Sequence, residues 1–215
     1  STLRECGALR IILPEVNALF GVPQPKKYHP EIDTGLHTLM SLEQVARLSG
    51  DTTIRYATLI HDVGKAATDK SNWPSHYGHE LLGLPLQANI AARLRVPKEH
   101  AKLAALVCEH HTKLHRIKEL KPSAVLSLLE ALDAIRRPER LEKFLIACEA
   151  DARGRTGFED RNYEPRKYLM PLLKAASSLK IEKLLGENSN SDPAKLIRSN
   201  RIKLIREAIA ELSRP

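Results

Sequence analysis

The residues of this chain best suited to chemistry are histidines and aspartates placed where apolar helical runs begin or end. In LIHDVGK, residues 59–65, His61 and Asp62 close one such run and Lys65 follows about one turn later. His37 lies on the run before it. His79 in YGHELLG opens another, His110 and His111 end LAALVCE, and Asp151 closes FLIACEA. A carboxylate or imidazole buried without a partner is costly. Several that converge are satisfied together if a cation sits among them. Imidazole nitrogen and carboxylate oxygen suit borderline and hard divalent ions: zinc, nickel, manganese, iron and magnesium.

His37, His61, Asp62 and Asp151 make one such ligand set, and Asp62 can bridge to a second ion held by His79, His110 and His111. Two ions about 3.5–4 Å apart can clamp a phosphate ester for in-line attack. Lys65 can offset charge that builds on a phosphate oxygen. The candidate catalytic residues are therefore Lys65, His110 and His111. Each residue taken singly also has a structural reading. A lone His-Asp pair is weak evidence, His79 suits a helix start, and His110 with His111 suits an exposed helix end favoured by the macrodipole. His76, His100 and His115 read as surface residues, and His29 in KKYHPEID stays open. The set as a whole is what points to metal.

Helices must position these groups. Helical periodicity dominates, and no stretch alternates as a strand does. The expectation is an all-α fold of about eight or nine helices. One covers residues 34–49 and stops at Gly50, and Asp51 caps the next, which runs to Gly64. Pro85 should break or kink the helix that follows His79. Pro97, Pro122, Pro138 and Pro165 open four more, and a last helix spans about 194–212, with Ile202, Ile205, Ile209 and Leu212 on one face. Composition breaks near 154–164 and 186–193. The expected organisation is a neck or linker segment over 1–33, a site-bearing domain over 34–153 and a C-terminal helical extension over 154–215.

The chain has 215 residues, 42% of them hydrophobic, which suits one domain or one domain with an appendage. A net charge of +8 favours polyanionic partners, although many basic proteins bind none. Arg153, Arg155, Arg161 and Arg166 flank Asp151 and can hold an RNA backbone or a terminal phosphate; a solvated charged loop is the other reading. Aromatic residues make up only 4%, against base stacking along a single strand and in favour of backbone contact to a folded RNA. Cys6, Cys108 and Cys148 show no paired spacing, so a reducing, cytoplasmic compartment is expected, with Cys108 and Cys148 as buried thiols. No apolar run approaches the ~20 residues of a membrane span. STLRECGALRIILPEV has no initiator Met and reads as part of a longer protein.

The order His37, His61-Asp62, Asp151 resembles the HD superfamily of metal-dependent phosphohydrolases, of whose core HDVGK is a common form. His79 and His110-His111 resemble its two-metal versions. LRECGALRIILPEVNALFGVPQ, HPEIDTGLHT and EADARGRTGFEDRNY resemble bacterial tRNA nucleotidyltransferases, the CCA-adding enzymes of the enterobacterial type. That resemblance covers nearly the whole chain and weakens after about residue 180.

It implies an HD helical bundle with a tRNA-contacting tail. It also implies 2′,3′-cyclic phosphodiesterase, 2′-nucleotidase and phosphatase activities on cyclic nucleotides or phosphorylated RNA ends. Nickel or a similar ion would serve that site, and magnesium a nucleotidyltransferase head. Monomer and homodimer both stay open. The head's Asp-x-Asp pair does not occur here, since every Asp stands apart from the others; the chain as given is not expected to add nucleotides. Two alternatives remain: a non-catalytic tRNA-binding portion with structural histidines, and an HD-type nucleotide hydrolase unrelated to tRNA.

Overall fold

A computed structural model describes residues 2–187 and 192–214. Among the described residues the fold is all-α, with an isolated bridge between Pro23 and Asp33 as its one piece of extended pairing. The helices are α1 (Thr2–Glu5), α2 (Ala8–Ile12), α3 (Pro14–Asn17), α4 (Thr34–Leu48), α5 (Thr52–Ile60), α6 (His79–Arg93), α7 (Lys98–His115), α8 (Pro122–Ala131), α9 (Pro138–Arg153), α10 (Glu164–Ser177), α11 (Ile181–Glu187) and α12 (Pro193–Leu212). Three 3₁₀ turns, Val63–Ala67, Lys70–Asn72 and Ile117–Glu119, lie between them. The expected eight or nine helices are thus too few. The extra ones are α1, α2, α3 and α11, each too short for an apolar period to show.

Local chemistry sets the boundaries. Asp33 caps α4 by accepting from Leu36 N at 2.8 Å, and Asp51 caps α5 by accepting from Thr53 N at 2.7 Å. α5 stops at Ile60, earlier than expected, and the chain tightens into the 3₁₀ turn after Asp62. Pro85 does not break α6. Pro85 and Leu81, whose carbonyl loses its partner, both lie on the exposed side, where water can satisfy that oxygen.

The described chain divides into two compact units, one of residues 1–112 and 142–162, the other of 113–141 and 163–215. Residues 1–33 belong to the first unit, and the divisions fall within α7, within α9 and just before Tyr163. In the first unit Leu9, Val16, Ile60, Val63 and Ile90 form a buried cluster, flanked by Leu13, Phe20, Tyr56, Leu59 and Leu86. Each large aliphatic side chain buried there contributes about 1.5–3 kcal/mol. Ile60 and Val63 bracket His61 and Asp62, so this core fixes the motif from both sides. Lys143 pairs with Asp51 at 2.7 Å and ties α9 to the start of α5.

In the second unit Ile205 of α12 is fully buried, and α12 packs on α8 and α10, which bury Leu126, Leu129, Leu169 and Leu172. Arg198 bonds Ser127 at 2.9 Å and pairs with Glu130. Of the apolar face expected on α12 only Ile205 is buried; Leu212 is exposed. Of the expected linker at 186–193, residues 188–191 lie outside the described residues.

Candidate metal centre

Four helix ends of the first unit deliver imidazoles to one buried place. His37 comes from α4, His61 from the end of α5, His79 from the start of α6 and His111 from α7. Each ring is pinned on its Nδ1 side by a backbone carbonyl. His37 faces Gly154 O at 2.9 Å, His61 Thr58 O at 2.7 Å, His79 His76 O at 2.9 Å and His111 Val107 O at 2.9 Å. A carbonyl only accepts, so Nδ1 carries the proton in each neutral ring and Nε2 presents a lone pair.

Those lone pairs meet the carboxylates of Asp62 and Asp151. His37 Nε2 lies 2.9 Å from Asp151 Oδ1, and His61 Nε2 lies 3.2 Å from Asp62 Oδ2. His79 and His111 Nε2 lie 3.4 and 3.5 Å from Asp62 Oδ1 and 3.4 Å from each other. With neutral rings these contacts set lone pair against lone pair; without a cation His37 and His61 are drawn toward protonation instead, and His37 Nε2 then donates to Asp151. The buried atoms His61 Nε2 and Asp62 Oδ1 make no hydrogen bond, although imidazole and carboxylate are among the groups that most need one. A cation among them resolves both facts. Three sets of ligand atoms in this cluster have such spacing: His37, His61 and Asp62; His61, His111 and Asp151; Asp62, His79 and His111; a fourth, His29, Glu31 and His37, adjoins them. Asp62 belongs to two of them through different oxygens. The donors fit a borderline or hard divalent ion.

Charge in the cluster points the same way. Burial works against a charged His61, but Asp62 and Asp151 outweigh it and hold the imidazole up at about 10. Burial would raise the Asp62 carboxyl; His61 and Lys65 hold it well below the usual range. His111 is lowered, burial outweighing Asp62. The carboxylates thus draw a positive charge into the buried cluster.

A pH dependence follows for the metal-free protein. His61 is raised above its unfolded value, so its contribution is fully present below about pH 6.5. That contribution is lost as pH rises through about 10. Urea midpoints measured in EDTA should therefore fall between pH 6.5 and 10, and the fall should shrink in His61→Asn. A flat or rising profile would contradict this account.

No family model matches the chain. A multifunctional CCA protein of Nitrosococcus oceani is 48% identical over 208 residues, 96% of this chain and 51% of the relative. One from Thioalkalivibrio sulfidiphilus is 48% identical over 210 residues, 97% of this chain and 51% of its own length. One from Alkalilimnicola ehrlichii is 52% identical over 177 residues, 82% and 43%. This chain is homologous to multifunctional CCA proteins. It spans about half the length of the curated relatives it matches.

The remaining predicted residues of this CCA-protein homologue fall in several places. Lys65 is buried and donates to Asp62 Oδ2 at 2.7 Å and Gln24 Oε1 at 2.6 Å, leaving one of its three protons for a ligand. Arg155 reaches the cluster, with Nη2 3.7 Å from Asp151 Oδ1 and a buried Nε that makes no hydrogen bond. Arg153 and Arg161 do not reach it. Arg153 pairs with Glu149 at 2.7 Å and donates to Arg161 O, while Arg161 lies over the Phe158 ring at 5.1 Å. His110 is buried but belongs to none of the ligand groups found among the described residues. Successive helical side chains point about 100° apart, so turning His111 toward Asp62 directs His110 elsewhere, 3.7 Å from Glu109 Oε1.

His76, expected at the surface, is 2% exposed, with Thr68 Oγ1 at 2.7 Å and Pro23 O at 2.7 Å on its two nitrogens. His100 and His115 are half-buried. Sequence reasoning missed Gln24 and Glu31, and left His29 open. The signal for Glu31 and His29 was the short polar HPEID just ahead of α4, a place with no apolar period to read against. Cys108 and Cys148 are buried, as expected. No described helix is long and apolar enough to cross a membrane.

Proposed function

We propose that this chain is the metal-dependent phosphohydrolase part of a CCA-adding tRNA enzyme, of the HD type. It acts on 2′,3′-cyclic phosphodiesters, 2′-phosphates and other phosphomonoesters of nucleotides or RNA ends. The observation that carries this reading is the convergence of four Nε2 atoms on two buried carboxylates, with His61 Nε2 and Asp62 Oδ1 lacking any hydrogen bond. His37, His61, Asp62 and Asp151 would hold one ion, and His79 and His111 would share Asp62 with a second. A divalent ion there supplies Lewis acidity and a water acidic enough to act as nucleophile near neutral pH.

The rest is done by side chains of the chain itself. The four carbonyls fix the rings before any ligand arrives, so little reorganisation is needed. Lys65 turns its remaining proton to an oxygen of the phosphate, and Arg155 offers a planar donor pair on the Asp151 side. Burial of the cluster keeps these charges strong. The experiment is hydrolysis of 2′,3′-cyclic AMP and p-nitrophenyl phosphate by the whole chain, in EDTA and then with nickel. Turnover restored by nickel supports the reading. No turnover with nickel, manganese or magnesium would overturn it.

The tRNA part rests on the relatives and on charge. Lys and Arg equal Asp and Glu in the first unit, so the whole excess of +8 lies in the second. That favours a phosphate backbone as the second unit's partner and shifts the weight away from Arg153 and Arg161. Lys203 and Arg206 of α12 are exposed. Reversing both to Glu is expected to weaken tRNA binding and to flatten its salt dependence by about two units of slope. Hydrolysis of 2′,3′-cyclic AMP should stay unchanged. An unaltered salt slope would place the RNA contact elsewhere.

A further inference from the structure

The segment ahead of α4 reads in the sequence as a neck, yet in the fold it forms the outer wall of the cluster. We infer that Glu31 is a positioning residue: its carboxylate clasps the Nδ1 side of His37 and tunes Nε2 for the cation. This rests on the metal-centre reading above.

The Glu31 side chain is only 3% exposed, and its Oε1 lies 3.1 Å from His37 Nδ1 and 2.9 Å from His29 Nδ1. The His29 ring stands edge-on to His37 with centroids 4.7 Å apart. His37 is therefore held on one side by Glu31, His29 and Gly154 O, while its Nε2 faces Asp151 and Asp62 on the other. The carbonyl alone settles where the proton sits. A carboxylate on the same nitrogen adds negative charge to the ring and makes the opposite nitrogen a better ligand.

The fold goes to some length to put Glu31 there. Gln24 N donates to Ile32 O at 2.7 Å, and Thr34 donates to Val22 O through both N and Oγ1. Pro23 O lies 2.7 Å from His76 Nε2. Ile32 sits at φ 61°, a conformation a β-branched residue rarely adopts, and this turn directs the preceding carboxylate inward. The other Glu31 oxygen, Oε2, is buried and makes no hydrogen bond, so the strap itself has no use for the second half of the carboxylate. The same strap supplies Gln24, which reaches Asp62 through Lys65. Two of the proposed ligands are thus supported from one segment outside the helical bundle.

Calorimetric titration of the whole metal-free chain with Ni²⁺ tests this, comparing wild type with Glu31→Gln. The variant keeps the shape and loses the charge. Its tightest Ni²⁺ dissociation constant is expected to rise about 10–100-fold. The number of ions bound should be unchanged, and the far-UV circular dichroism of the variant in EDTA should match wild type, which shows that it folds. An unchanged dissociation constant overturns the inference while leaving the metal centre intact. Loss of a whole equivalent of Ni²⁺ also overturns it, because Glu31 would then be a ligand in the His29, Glu31 and His37 group. No Ni²⁺ binding by wild type overturns both readings. If Glu31→Gln does not fold, Glu31→Asp takes its place: the charge stays but the shorter arm cannot reach Nδ1, and the same loss of affinity is expected.

Discussion

Asp62→Ala is expected to lower kcat/KM for 2′,3′-cyclic AMP by about 10³-fold or more, with nickel at saturating concentration. Loss of a single preorganised charge contact already reaches about 10²–10³, and Asp62 serves more than one purpose. Its Oδ2 lies 3.2 Å from His61 Nε2 and 2.7 Å from Lys65 Nζ, while its Oδ1 faces His79 and His111. Removing it takes a ligand from both proposed ions and leaves Lys65 inside the protein with Gln24 as its partner. Breaking a buried pair on one side costs about 3–5 kcal/mol, so stability should fall as well.

The two effects can be separated. Asp62→Asn combined with Lys65→Met removes both charges and should recover much of the lost stability without recovering turnover. A variant that regains full stability and still hydrolyses the substrate would mean that the pair is structural. No turnover by either wild type or variant would instead leave the histidines as a polar core and make a tRNA-binding role the better account.

Gly64→Ala is expected to destabilise the protein by about 3 kcal/mol or more, a fall in Tm of roughly 6–12 °C for a chain of this size. A Cβ at residue 64 would stand 2.0 Å from His79 O, 2.6 Å from Gly83 N and 3.0 Å from Gly83 Cα. All three are backbone atoms of α6, so no side chain can swing away. The 3₁₀ turn Val63–Ala67 and α6 would have to separate, carrying His79 away from Asp62. The glycine of HDVGK is therefore a packing requirement that brings two ligand-bearing elements together. Gly50→Ala is the control, because its Cβ meets nothing within 4 Å and its backbone is unstrained; its effect should stay within about 0.5 kcal/mol. Scanning calorimetry of the two variants decides the matter, and equal melting temperatures would refute the close-approach argument.

The sequence by itself determined the helical elements that are long enough to show a period, and their starts. α4, α5, α7, α9 and α12 begin where Asp33, Asp51, Pro97, Pro138 and Asp192 set them, since caps and prolines act within a few residues. It also marked His37, His61, Asp62, His79, His111 and Asp151, because a polar residue at the end of an apolar run violates a local rule that anyone can read. Only the tertiary structure decided which of those side chains meet. His110 and His111 are equivalent as sequence, but the azimuth of α7 brings one of them to Asp62 and not the other. Arg153 ends α9 and Arg155 and Arg161 follow it in the loop, yet Arg155 alone reaches the cluster, because the others are held by Glu149 and stacked on Phe158. Glu31, Gln24 and His76 lie in segments without periodicity, where a residue's burial depends on contacts with distant parts of the chain. Whether a polar side chain belongs to a site is a matter of such long-range contacts, and spacing along the chain carries no record of them.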